Sequence, residues 1–202
     1  MKDSSYRENK NKKPEKEKTL IQELISTLLY IIVITSIFLC IRLYIIAPVS
    51  VEGASMEPTL QDGDHLILNK VSDVDRFDVI VFPAPEEDGK QFIKRVIGLP
   101  GDEITFQDQT LYINGETIEE DYVDLSKVSD SDLQSLNSDF NLSSLEGVEQ
   151  VPEDSYFVLG DNRVNSKDSR SFGFISRNNV TGKTSLRIWP LDRLGFIDKS
   201  ND

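Results

Sequence analysis

Residues 20–46 are almost wholly apolar, and from 24 to 41 only Ser, Thr and Cys vary a run of large aliphatic and aromatic side chains. At 1.5 Å per residue, a helix of that length spans the roughly 30 Å of a bilayer's hydrocarbon core. The rival reading is a cleavable leader. Its apolar core would be shorter, roughly 7 to 15 residues, and would end at a small-x-small site; this one ends in bulky Tyr44, Ile45 and Ile46. The sequence therefore predicts an uncleaved transmembrane anchor over 20–46. Arg42 lies near one end, where its long stem can carry the charge to the interface. Residues 1–19 are polar and lysine-rich and read as a disordered tail. The seven Lys and Arg before Leu20 place that tail in the cytoplasm and residues 47–202 on the far side of the membrane.

Charge divides at the same boundary. Residues 1–46 carry eight Lys/Arg and five Asp/Glu, a net of +3, so within a whole-chain charge of -13 the remainder holds -16. An acidic domain is poorly suited to gripping a phosphate backbone, which argues against nucleic acid as a partner. The single cysteine, Cys40, lies inside the apolar run and has no second thiol, so neither a disulfide framework nor a cysteine metal site is available. The single histidine, His65, excludes any site needing two imidazoles; it reads as an exposed strand entry without a catalytic part. No metal and no cofactor is expected.

Beyond the anchor the pattern is that of a mostly β domain. Short β-branched and aromatic runs at 66–68, 77–82, 92–97, 104–106, 111–113, 156–159 and 185–189 are punctuated by Asp62-Gly63-Asp64, Pro83-Ala84-Pro85, Pro100-Gly101-Asp102 and Asn114-Gly115. Asn114-Gly115 is a strong hairpin signal. Residues 119–150 differ: Glu119-Glu120-Asp121 opens a stretch rich in Ser, Asp, Asn and Leu, read as a variable acidic surface insertion. Val49, Val51 and Trp189 are assigned to core packing ahead of lipid contact.

Three stretches carry chemistry. In Val51-Glu52-Gly53-Ala54-Ser55-Met56-Glu57-Pro58-Thr59-Leu60, Gly53 permits a tight turn and Pro58 fixes φ, so Ser55 sits on a constrained bend. On its own, a serine in such a bend is an ordinary turn residue. A nucleophilic serine also needs a base, and with histidine set aside lysine is the next choice. Lys94 interrupts the apolar strand Phe92-Ile93-Lys94-Arg95-Val96-Ile97. If it points inward, desolvation lowers its pKa and Arg95 points out; an exposed strand edge fits this stretch equally. The third stretch is Gly160-Asp161-Asn162-Arg163-Val164-Asn165-Ser166-Lys167-Asp168-Ser169-Arg170, a loop dense in short hydrogen-bonding side chains, in which Asp168 and Arg170 have the charges of an ion pair.

Taken together and in this order behind an anchor, these motifs resemble the type I signal peptidases of bacteria, in their single-anchor Gram-positive form. The resemblance covers the chain from the anchor to about residue 174, apart from 119–150. It implies two antiparallel β-sheet regions and a membrane-bound serine endopeptidase that removes signal peptides from exported preproteins after Ala-x-Ala sites. By the same resemblance Ser55 is the nucleophile and Lys94 the general base. Ser166 orients the lysine, Asp168 and Arg170 form a supporting pair, and Val51, Met56, Leu60, Phe92 and Ile93 line substrate pockets. Signal peptides and membrane lipid are then the partners. One departure stands out: some Gram-negative members carry a serine two residues before the nucleophile as a second oxyanion donor, and Gly53 occupies that place here. A self-cleaving repressor-type protease shares the dyad, but the anchor and the acidic charge oppose it. A non-catalytic docking relative would be expected to have lost Ser55 or Lys94, and both are present.

Overall fold

The computed structural model describes residues 20–85, 87–124 and 139–197. The tail expected over 1–19 and the middle of the expected insertion, 125–138, lie outside them. Two compact units divide the chain, one ending at Cys40 and the other beginning at Ile41.

The first unit contributes most of α1 (Leu20–Tyr44), a 25-residue helix without a buried residue. It is long and apolar enough to cross a membrane. Its apolar side chains extend around the whole circumference rather than along one stripe, as in a helix with no aqueous face.

The second unit is mostly β, with two antiparallel sheets. The larger is built from β1 (Ile46–Ser50), β2 (His65–Asn69), β3 (Val79–Pro83), β4 (Gln91–Gly98), β9 (Ser155–Leu159), β10 (Ile175–Ser176), β11 (Gly182–Trp189) and β12 (Gly195–Phe196). Their order is β1-β2-β11-β3-β4-β9-β10, with β12 on β11. The smaller sheet orders β7 (Glu116–Ile118), β6 (Thr110–Ile113), β5 (Ile104–Gln107) and β8 (Phe140–Asn141). Two short helices, α2 (Leu142–Glu146) and α3 (Ser169–Phe172), complete the described elements used below.

The strands follow from their side chains. In β3, Val79 and Val81 enter one apolar cluster while Ile80 and Phe82 enter another. A strand buried on both faces needs a continuous apolar run rather than alternation, which is what Val79-Ile80-Val81-Phe82 supplies. Asn114 and Gly115, at φ 54 and 80, make the expected tight turn between β6 and β7. The anchor was expected to run to 46, yet the helix stops at Tyr44 and Ile46 opens β1. Pro48 is tolerated in that strand because β1 lies at the edge of the sheet, where a missing N–H breaks no ladder.

Two expectations are corrected here. The flanks of 119–150 belong to the core: Tyr122 is 7 % exposed and Leu142 1 %, and Phe140 stacks on Phe106 with centroids 5.6 Å apart. Their short apolar residues were too sparse in sequence to register as a core face. Trp189 does not serve the core. It is 51 % exposed at the end of β11, with exposed Leu191 and Leu194 in the turn that follows and exposed Phe196 on β12. Val51 and Val49, by contrast, pack into the cluster that includes Leu66 and Val79.

Candidate active site

The Ser55 bend is a loop drawn shut at its base, where Val51 N–H donates to the Asp64 carbonyl at 2.8 Å and Gly63 N–H to the Val51 carbonyl at 3.0 Å. Gly53 takes φ 83, a conformation that side chains other than glycine rarely adopt. Its N–H donates to Asp62 Oδ1 at 2.8 Å. That amide is therefore committed and is not a spare oxyanion donor. Ser55 N–H, in contrast, donates to no group among the described residues.

Lys94 approaches from β4. Its Nζ lies 2.8 Å from Ser55 Oγ and 3.0 Å from the Ile93 carbonyl, and 5.1 Å from the centre of the Phe92 ring. The side chain is 3 % exposed. Burial, the largest influence, pulls the amine from its ordinary 10.5 to about 8, against the raising fields of Asp168 and Asp161. Such an amine is neutral in an appreciable fraction near physiological pH. In that state the Ser55 hydroxyl donates across the same short distance, which is the geometry of a nucleophile and its base.

The inward lysine was expected to leave Arg95 pointing out. Strand alternation does send it to the opposite face, but that face is also buried, and Arg95 has no exposed surface. Its Nε and Nη2 donate to the two oxygens of Asp161 at 2.9 and 2.7 Å. The strand reading failed because it assumed a one-sided sheet.

The Gly160–Arg170 loop supplies the surroundings. Asp168, fully buried, accepts from Gly160 N–H at 3.0 Å and from Arg170 Nε and Nη2 at 2.8 Å each. It also caps α3, whose Arg170 N–H donates to it, so the expected ion pair is present and starts a helix as well. Ser166 is placed differently from the expectation. Its hydroxyl is buried and has no hydrogen-bond partner among the described residues, Lys94 included. It packs against Gly160, where an added Cβ would lie 2.2 Å from its Oγ.

Of the five pocket residues expected, Val51, Met56, Leu60 and Ile93 form part of one core cluster beneath the bend. Leu60 has no exposed surface. Phe92 stands apart, half-buried, with its ring against Phe82 and Phe172. The sequence leaves Asp161, Asn162 and Arg163 without a role; in the structure Asn162 N–H donates to the Ser55 carbonyl at 3.1 Å, while Asp161 accepts from Arg95 and Arg163 Nε donates to the Gly160 carbonyl. Their density in one loop was the available signal.

A β-sheet scaffold that holds a serine hydroxyl 2.8 Å from a buried lysine amine is suited to nucleophilic attack on a carbonyl, the chemistry of the serine hydrolases. Comparison with known proteins makes this specific. The family model described as signal peptidase, peptidase S26, matches residues 21–189. A signal peptidase I of Bacillus caldolyticus is 43% identical over 160 residues, covering 77% of this chain and 86% of the relative. Signal peptidase IB of Staphylococcus aureus is 34% identical over 184 residues, covering 87% and 94%. The crystal structure of a signal peptidase I from Enterococcus faecalis aligns with a TM-score of 0.51 at 44% identity, covering 56% of this chain and 97% of that one. The chain belongs to the signal peptidase family, peptidase S26.

Proposed function

We propose that the protein removes signal peptides from exported preproteins by acyl transfer through a Ser55–Lys94 dyad. The 2.8 Å contact between Ser55 Oγ and a lysine amine withdrawn from water carries this reading. Neutral Lys94 takes the Ser55 proton as Oγ attacks the scissile carbonyl. Ser55 N–H donates to the oxyanion, the protonated lysine returns its proton to the leaving amine, and water then releases the acyl group with Lys94 again as base. Asp168 and Arg170 hold the loop beside the lysine, and Ser166 steadies the amine during turnover. The apolar floor of Val51, Met56 and Ile93, with Phe92 beside the lysine and Leu60 packed behind it, suits small residues of an Ala-x-Ala site. Gly53 contributes no second side-chain donor to the oxyanion site.

In this reading residues 1–19 are a cytoplasmic tail, 20–46 a single-pass anchor and 47–202 an extracytoplasmic catalytic domain. The lysine-rich tail and the predominantly apolar α1 support that topology. A membrane-held enzyme meets a membrane-held substrate in one plane, which raises their effective concentration. The exposed Trp189, Leu191, Leu194 and Phe196 give the domain a surface suited to the lipid interface.

The test is cleavage of a synthetic preprotein in detergent by wild type, Ser55→Ala and Lys94→Ala. Cutting after Ala-x-Ala by wild type, with both variants folded and inactive, is the expected result. Undiminished cutting by Lys94→Ala would place the base elsewhere.

A further inference from the structure

Two arginines are sealed into the fold beside the dyad: Arg95, which follows Lys94, and Arg163, which follows Asn162 and is 6 % exposed. A buried guanidinium persists only where acceptors meet its donors. Arg95 is met by Asp161 and by the Phe77 carbonyl at 3.0 Å. Arg163 is met by Glu120, with Nη1 donating to Oε2 at 2.9 Å and Nη2 donating to Oε1. Its Nε turns the other way and donates to the Gly160 carbonyl at 3.1 Å.

Glu120 follows β7 of the smaller sheet, so this pair ties that sheet to the loop beside Ser55. Tyr122, from the same segment, donates its hydroxyl to Glu120 Oε1 at 2.7 Å and lays its ring 4.1 Å from the Arg95 guanidinium. The residue held between Asp161 and Arg163 is Asn162. Its backbone N–H donates to the Ser55 carbonyl at 3.1 Å, and its Nδ2 donates to the Ala54 carbonyl at 3.1 Å.

That second contact matters most. The Ala54 carbonyl and the Ser55 N–H belong to one peptide unit, and in a planar trans peptide they point to opposite sides. The carbonyl also accepts from Glu57 N–H at 3.2 Å within the bend itself, and the Asn162 contact adds the tie from outside the bend; fixing the carbonyl aims the N–H. An oxyanion donor is effective only when held where negative charge develops.

We infer that Glu120 is a positioning residue for the reaction: it fixes Arg163, which fixes Asn162, which aims the Ser55 N–H at the oxyanion. The inference rests on the acyl-transfer reading above. Glu120 has no contact with Ser55 or Lys94 and acts only through this relay. Its place in Glu119-Glu120-Asp121 disguised it, because such a run reads as solvated charge.

A double-mutant cycle in the full-length enzyme tests it, with the preprotein as substrate and rates normalised to folded protein by Trp189 fluorescence. Glu120→Gln keeps the size of the side chain and removes its charge. Its kcat is expected to fall about tenfold with KM changed less than about threefold and the pH profile unmoved, since the lysine is untouched. In an Asn162→Ala background the same change is expected to cost less than about twofold, because the relay is already cut. Glu120→Asp, which keeps the charge, recovers part of the rate. A kcat for Glu120→Gln near that of wild type overturns the inference, as does an undiminished loss in the Asn162→Ala background. Should Glu120→Gln fail to fold, Tyr122→Phe, which removes only the hydroxyl bonded to Glu120, carries the same cycle with an expected loss of about threefold. Wild type that cuts nothing, or Ser55→Ala that still cuts, defeats the acyl-transfer reading instead.

Discussion

The Lys94 amine lies 2.8 Å from the Ser55 hydroxyl on a side chain almost wholly withdrawn from water. Burial sets its pKa to about 8, although Asp168 and Asp161 pull it upward. Only the neutral amine accepts the serine proton, so kcat/KM is expected to rise about tenfold per pH unit below about 8 and to level off above it. A pH–rate profile on a peptide substrate without titrating groups in that range checks this. An inflection near 10.5 would mean an exposed, unperturbed lysine.

The same burial acts on stability. Lys94 titrates near 8 in the folded chain against 10.5 ordinarily, so between those values the unfolded chain binds more protons and stability rises with pH. Below about 8 the penalty is fully present, at about 3 kcal/mol. Lys94→Met is therefore expected to abolish activity while raising the unfolding free energy at pH 7 by up to about 3 kcal/mol, a gain that shrinks towards pH 10.5. Denaturant melts at both pH values decide it.

A Cβ on Gly160 would lie 2.5 Å from the Ser55 carbonyl oxygen, which is backbone and cannot swing aside. Gly160→Ala is expected to lower kcat by about a hundredfold, because the proposed nucleophile itself is displaced. The stability loss, about 1–3 kcal/mol, is that of ordinary overpacking. Turnover measured beside thermal unfolding separates the two, and wild-type turnover would show that the bend relocates freely.

Ser166 offers a case in which activity and stability move in opposite directions. Its hydroxyl is buried without a hydrogen-bond partner among the described residues, so Ser166→Ala is expected to stabilise the fold by up to about 1 kcal/mol. On the proposed mechanism its kcat falls by about tenfold or more with KM unchanged, because the hydroxyl is there assigned to steadying Lys94 during turnover. Unchanged kcat would remove Ser166 from the mechanism.

Trp189 is the sole tryptophan and half-exposed, so its emission reports on one place. Quenching by brominated lipid is expected when the full-length protein is reconstituted in vesicles, and Phe196→Glu is expected to weaken it, since an aromatic with a polar edge settles at the lipid interface. Emission unaffected by brominated lipid would leave the β11–β12 turn in water.

Much of this site could be read from the chain because Ser55 and Lys94 break local rules: one sits in a Gly/Pro bend soon after a long apolar helix, the other inside an apolar strand. The strands of the core were legible for a similar reason, since Val79-Ile80-Val81-Phe82 can hardly be anything else. What escaped was set by the third dimension. Whether Arg95 faces water depends on what covers the far side of β4, and no periodicity encodes that. Glu120 looks like any surface acid until Arg163, 43 residues away, is brought against it. The edge strands β8, β10 and β12, of two residues each, are too short to carry a pattern at all.

Placing Lys94 and Arg95 side by side on β4, each buried on its own face, makes that strand intolerant of slippage. Deleting a single residue at 91–93 while the rest of the ladder stayed in place would exchange the two faces and present a guanidinium to Ser55. A guanidinium keeps its proton at any pH a cell experiences. The fold could survive such a frame error in outline and still own no base, so the spacing of this one strand is as much a part of the chemistry as the lysine it carries.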